Sequence, residues 1–231
     1  MPYFVLEFFS RPFRRLITLA IFLPVSLLGH SLWVLPSSQD GLPGPAQRLL
    51  DRLVAAAVER THHIVRYDPA YVRIPYPGGN VPASTGVCTD EVIRAYRAVG
   101  IDLQKEVHMD LLNHRSAYPR TWASTSHTSG PPPTDTNIDH RRVPNLMFFF
   151  RRHGEILPLS AEARDYHPGD LVAWNLGGGI THIGIVVDQV SPQSGRYLVV
   201  HNIGRGPQME DVLFDWKIIG HYRYLGESTR Q

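Results

Sequence analysis

The chain of 231 residues holds one cysteine, Cys88, and twelve histidines. A thiol that performs catalysis needs a base to take its proton and a third group to orient that base. Cys88 opens a segment in which Val92, Ala95, Tyr96 and Val99 share one helical face, and Gly100 is suited to end it. The bare N–H groups and dipole of a helix start favour a thiolate, so an accessible thiol of lowered pKa is expected there. The competing reading is a small hydrophobe of the core, since free cysteines are among the most buried residues. His182 tips the balance. It begins an apolar strand directly after Gly177-Gly178-Gly179, a strand mouth with room for a substrate. His201 ends the next strand, so a hairpin would join the two imidazoles. One ring nitrogen of His182 would then face the thiol while the other is held by His201. Asn202 is the competing orienter. Strand alternation sends positions 201 and 202 to opposite faces, so only one of them can serve.

A second polar concentration lies in Asn137 to Asn145, where Asp139, His140, Arg141 and Arg142 are consecutive. It could bind a substrate carboxylate through a bidentate arginine. It could equally be a structural ion-pair cluster that anchors the chain ahead of Leu146 to Phe150, and both readings stay open. His62-His63, His108, His114 and His140 lie near acids, but no His-Glu-x-x-His or comparable ligand spacing occurs, so neither a metal nor another cofactor is expected. The formal charge is only +2 and the basic residues are scattered, which argues against a nucleic-acid partner.

These residues need elements to position them. Leu49, Leu50, Leu53, Ala57 and Val58 predict a helix over Ala46 to Ile64, and the Cys88 to Val99 pattern a second. Tyr67 to Thr85 has loop or short-strand character, and Tyr118 to His140 reads as a long surface loop. Strands are predicted at Asp170 to Trp174, His182 to Val187 and Arg196 to His201, with a final one at His221 to Tyr224. N-terminal helices packed on a small antiparallel sheet make an α+β domain over 46–231. Residues 36–45 are a linker by composition. Ahead of them, Phe13-Arg14-Arg15 and the apolar run Leu16 to Gly29 read residues 1–35 as a signal peptide or an uncleaved membrane anchor. The chain is therefore expected to be exported, in the periplasm or at the outer face of the inner membrane. One cysteine makes no intramolecular disulfide.

The order of a helix-start cysteine, a strand His182-Ile183-Gly184-Ile185-Val186 and a polar residue on the following strand resembles the NlpC-type papain-like cysteine peptidases. Pro168-Gly169-Asp170-Leu171-Val172-Ala173-Trp174 looks like that group's preceding strand. A further resemblance is to an uncharacterised bacterial envelope family, the YijF-like proteins. It is carried by Gly86-Val87-Cys88-Thr89-Asp90, by Asn137 to Leu146, by His201-Asn202-Ile203-Gly204 and by Gly220-His221-Tyr222-Arg223-Tyr224. The resemblance implies a papain-like core and a cysteine hydrolase of peptide or amide bonds, with cell-wall peptides or peptidoglycan fragments as substrate. The rival from another class is a catalytically idle envelope module that binds peptidoglycan or a protein partner. Val87 and Thr89-Asp90 flank the cysteine where Asp-Cys-Ser-Gly is common in NlpC-type enzymes, and the only oxyanion donor the sequence suggests is the Cys88 backbone N–H.

Overall fold

The computed structural model describes residues 44–118 and 134–226. The expected signal or anchor at 1–35, most of the 36–45 linker and most of the expected 118–140 loop lie outside these residues. Among the described residues, no helix is long and apolar enough to cross a membrane.

Helix α1 (Pro45–Arg60) begins with proline, whose missing N–H is harmless in a first turn. It ends four residues before the predicted Ile64, where the Thr61 hydroxyl donates to the Val58 carbonyl at 2.7 Å. Its buried face is Leu49, Leu50, Leu53, Val54 and Ala57. Helix α2 (Cys88–Ala98) stops one residue short of prediction, and Gly100 just beyond it adopts φ +90°, which a residue with a Cβ reaches only under strain. Two further helices were not predicted. α3 (Leu103–Asn113) is capped by Asp102, whose carboxylate accepts from the Gln104 N–H, and α4 (Val143–His153) carries a proline in its first turn.

Arg66–Tyr67 (β1) and Thr85–Gly86 (β2) form a short parallel pair. The main sheet has six strands: β3 (Glu155–Ile156), β4 (Leu171–Asn175), β5 (Thr181–Val190), β6 (Tyr197–Asn202), β7 (Pro207–Glu210) and β8 (Lys217–Arg223). Their order is β3-β8-β4-β5-β6-β7, and every pairing is antiparallel. The α+β expectation holds. The predicted last strand is the end of β8, and edge strand β7 was not anticipated.

Strand alternation divides the core in two. Ala173, Ile183, Ile185 and Val200 face Leu53, Ile93, Leu146 and Phe150 from the helices. Val172, Trp174, Val186 and Val199 face the other way, toward Tyr166 and Leu213. Each fully buried Leu, Ile, Val or Phe adds about 1.5–3 kcal/mol, so the helix-backed side holds the fold and α2 cannot shift without loss.

Candidate active site around Cys88 and the paired imidazoles

Cys88 is the first residue of α2, and that start is firmly made. The Asp90 carboxylate accepts from the Val87 N–H at 2.8 Å, which closes the turn preceding the helix. Arg141 grips the same carboxylate with two hydrogen bonds, Nε to Oδ1 at 2.8 Å and Nη2 to Oδ2 at 3.0 Å, and gives a third to the Ala70 carbonyl. The Thr89 hydroxyl donates to the Arg141 carbonyl at 3.0 Å. The turn at Asp139–Arg141 is thus latched to the cysteine's helix.

The main-chain N–H groups of Ile183, the residue after His182, of Thr89 and of Cys88 itself favour a thiolate at this sulfur. Burial nevertheless dominates. Cys88 is only 5% exposed, and desolvation pushes its thiol up to about 12. The expectation of an accessible thiol of lowered pKa is corrected: nearby main-chain N–H groups and a helix start do not offset the loss of water around a negative sulfur.

His182 pairs across the sheet with Trp174, so its ring lies on the face opposite Ile183. It packs near the Trp174 and Trp216 rings, 5.8 and 6.0 Å between centroids. Cys88 reaches β5 from the Ile183 side, so sulfur and imidazole approach the start of this strand from either side. Among the described residues, no hydrogen bond joins the sulfur to the ring. His182 Nε2 lies 2.8 Å from His201 Nδ1, the juxtaposition anticipated from the hairpin. Gly184 permits it: a Cβ there would meet Val199 Cγ1 at 2.7 Å and His201 Cβ at 3.2 Å, and β5 and β6 would part. Burial, then the neighbouring His201, hold His182 down at about 3. His201 is also held below its ordinary value by burial, which Glu210 partly counters.

Sequence reasoning missed Glu210. Its Oε2 stands 3.0 Å from His201 Nε2, and its Oε1 accepts from Arg205 at 2.9 Å. The only sequence signal was its position nine residues after His201, on a strand that was not predicted. Asn202 takes no part in this chain of contacts. It is fully buried on the other face of β6, where its Oδ1 accepts from the Gly204 N–H at 3.2 Å.

A cavity of about 220 Å³ opens beside Cys88, lined by Tyr67, Pro69, Ile138, Arg141, Arg142 and Thr181 among others. Both arginines border it, but the Arg141 head group is committed to Asp90 and Ala70, which makes it a brace. Asp139 faces His108 Nδ1 at 3.1 Å and accepts from the Asp135 N–H at 2.7 Å, and burial raises its carboxyl. His140 is 2% exposed and held at about 3 by burial and then by Arg141, away from the cavity wall. Of the four expected substrate-binding residues in this segment, Arg141 and Arg142 line the cavity, and Arg142 also lies near Asp139 and Asp135. Among the described residues, no group of three or more His, Cys, Asp or Glu side chains is arranged to hold a metal ion.

A family model described as a domain of unknown function, DUF1287, matches residues 54–224. The matched span contains Cys88, His182, His201 and Glu210. The uncharacterized protein YijF of Escherichia coli (strain K12) is 51% identical over 159 residues, which cover 69% of this chain and 74% of that protein. The chain belongs to the DUF1287 family.

Proposed function

We propose that this protein is an exported cysteine hydrolase with a papain-like core, cleaving a peptide or amide bond, with cell-wall peptides as the substrate class. One observation carries the reading. Cys88 lines a cavity at the helix start, the main chain of the residue that follows His182 favours its thiolate, and the Nε2 of His182 is held by a second imidazole. The resemblance of the cysteine helix and the His182 strand to NlpC-type peptidases supports the same reading, as does the apolar N-terminal run for export.

The resting pair is neutral, with the thiol raised and the imidazole lowered. The thiol proton passes to His182 Nδ1 as the sulfur bonds to the substrate carbonyl carbon. The oxyanion that forms lies near the backbone N–H groups at the start of α2. The C–N bond then breaks, the amine takes the proton from His182, and water hydrolyses the thioester by the reverse exchange.

The buried state of Cys88 favours a second reading, a binding module of the envelope without turnover. Purified full-length protein incubated with peptidoglycan peptides separates the two. Release of amine that is abolished in Cys88→Ala supports the hydrolase. Binding without release, unchanged in Cys88→Ala, supports the module.

A further inference from the structure

Three adjacent strands each contribute one member to a line of polar contacts: His182 on β5, His201 on β6 and Glu210 on edge strand β7. We infer that Glu210 is a positioning residue that sets the tautomer of both imidazoles and leaves His182 Nδ1 as the lone-pair nitrogen of the site. The inference rests on the hydrolase reading for its purpose but not for its geometry.

The argument follows from which atoms can donate. A carboxylate only accepts, so the 3.0 Å contact between Glu210 Oε2 and His201 Nε2 requires the proton on that nitrogen. A neutral His201 then has a bare Nδ1, which accepts from His182 Nε2 at 2.8 Å. The proton of neutral His182 therefore sits on Nε2, and its Nδ1 carries the lone pair. The reverse order ends badly. With the His201 proton on Nδ1, a bare Nε2 would face a carboxylate, and His182 would carry its proton on the nitrogen that must act as base. The other carboxylate oxygen is held by Arg205 at 2.9 Å, so the carboxylate cannot easily turn away from the ring. The charged and titratable groups around His201 are His182, Glu210, Asp215 and Arg205, with the Trp216 ring 6.1 Å away. Of the charged groups among them, Glu210 is the one that meets the ring by a hydrogen bond. A bare edge-strand ion pair between Glu210 and Arg205 would need no imidazole at all.

Long-range ¹H–¹⁵N spectra of the ¹⁵N-histidine-labelled full chain at pH 7.5 read the tautomers directly. The expected result is protonated Nε2 and bare Nδ1 on both His182 and His201. Either Nδ1 found protonated overturns the inference, and this measurement needs no variant to fold. In Glu210→Ala the tautomers should mix, and Cys88 alkylation by iodoacetamide should slow about ten- to a hundredfold. That is less than the roughly 10⁴ lost when a directly orienting carboxylate is neutralised, because one ring intervenes. Glu210→Gln, whose amide oxygen still accepts, should recover most of the rate. Unchanged tautomers and rate in a folded Glu210→Ala protein overturn the inference. If the tautomers are as stated but alkylation ignores His182→Gln, the hydrolase reading fails while the anchoring by Glu210 stands.

Discussion

Two buried polar networks flank the first turn of α2 and the start of β5, and they end differently. In the first, the Asp90 carboxylate meets Arg141 twice and the Val87 N–H once, and Arg141 and Thr89 close the remaining links. Its atoms answer one another, so it stabilises a shape. In the second, contacts run from Glu210 through His201 to His182 Nε2 and then stop. Among the described residues, no hydrogen bond reaches His182 Nδ1. Chemistry requires a group with capacity left over, and only the second network has one.

The sharpest way to break the contrast is to cut each network. His182→Gln should lower amide hydrolysis by roughly 10⁴ or more, as removal of a general base does, with little change in melting temperature. Retained turnover would remove His182 from the site. Arg141→Ala should instead unfold the protein more readily, by about 3–5 kcal/mol in chemical denaturation, because the Asp90 charge is left buried and unpaired. A loss below about 1 kcal/mol would show that the brace is dispensable.

Acid should act on the second network and on His140, the neighbour of Arg141. Burial holds His140 and His182 at about 3 and holds His201 below its ordinary value, so all three are neutral in the folded chain. Their folded values lie under the ordinary value near 6.5, so the unfolded chain takes up protons first. Stability from these groups is fully present above that value and falls as pH drops toward about 3. Denaturation melts across this range check it, and a flat profile would mean that the rings are hydrated.

A subtler effect concerns Cys88 itself. Iodoacetamide alkylation of the wild type should continue to accelerate with pH beyond the ordinary thiol midpoint of about 8.5, as burial dictates. A plateau below that midpoint would restore the low-pKa thiolate. Smallest of all, Arg142→Ala should weaken peptide binding or turnover, as removal of a cavity-lining cation does. A marked drop in melting temperature with intact binding would make Arg142 a second brace.

The sequence made some of this legible and hid the rest for physical reasons. Helices α1 and α2 were readable because their apolar residues recur at helical spacing toward one core, and β4 to β6 because β-branched runs sit between glycine turns. Leu103, Val107 and Leu111 of α3 have the same spacing, but charged neighbours on a short segment masked it. Pro144 at the start of α4 resembles a breaker until a first turn is recognised around it. The His182–His201 contact was foreseeable from one hairpin. Glu210 was not, since its partner depends on a third strand's register, with Glu210 opposite Val199 and Gln208 opposite His201. The thiol's burial was equally hidden, because it depends on how closely α2 approaches Ile183.

Strand β7 is the outermost of its side of the sheet, and Arg205, which steadies the far oxygen of Glu210, is 75% exposed. Dissolved salt screens a pair at such a rim and scarcely touches imidazoles sealed inside. The position of a proton in the dry interior is thus tied to the ionic composition of the surrounding fluid. A protein bathed in a variable medium would carry that dependence in its reactivity, with every strand of the sheet left in place.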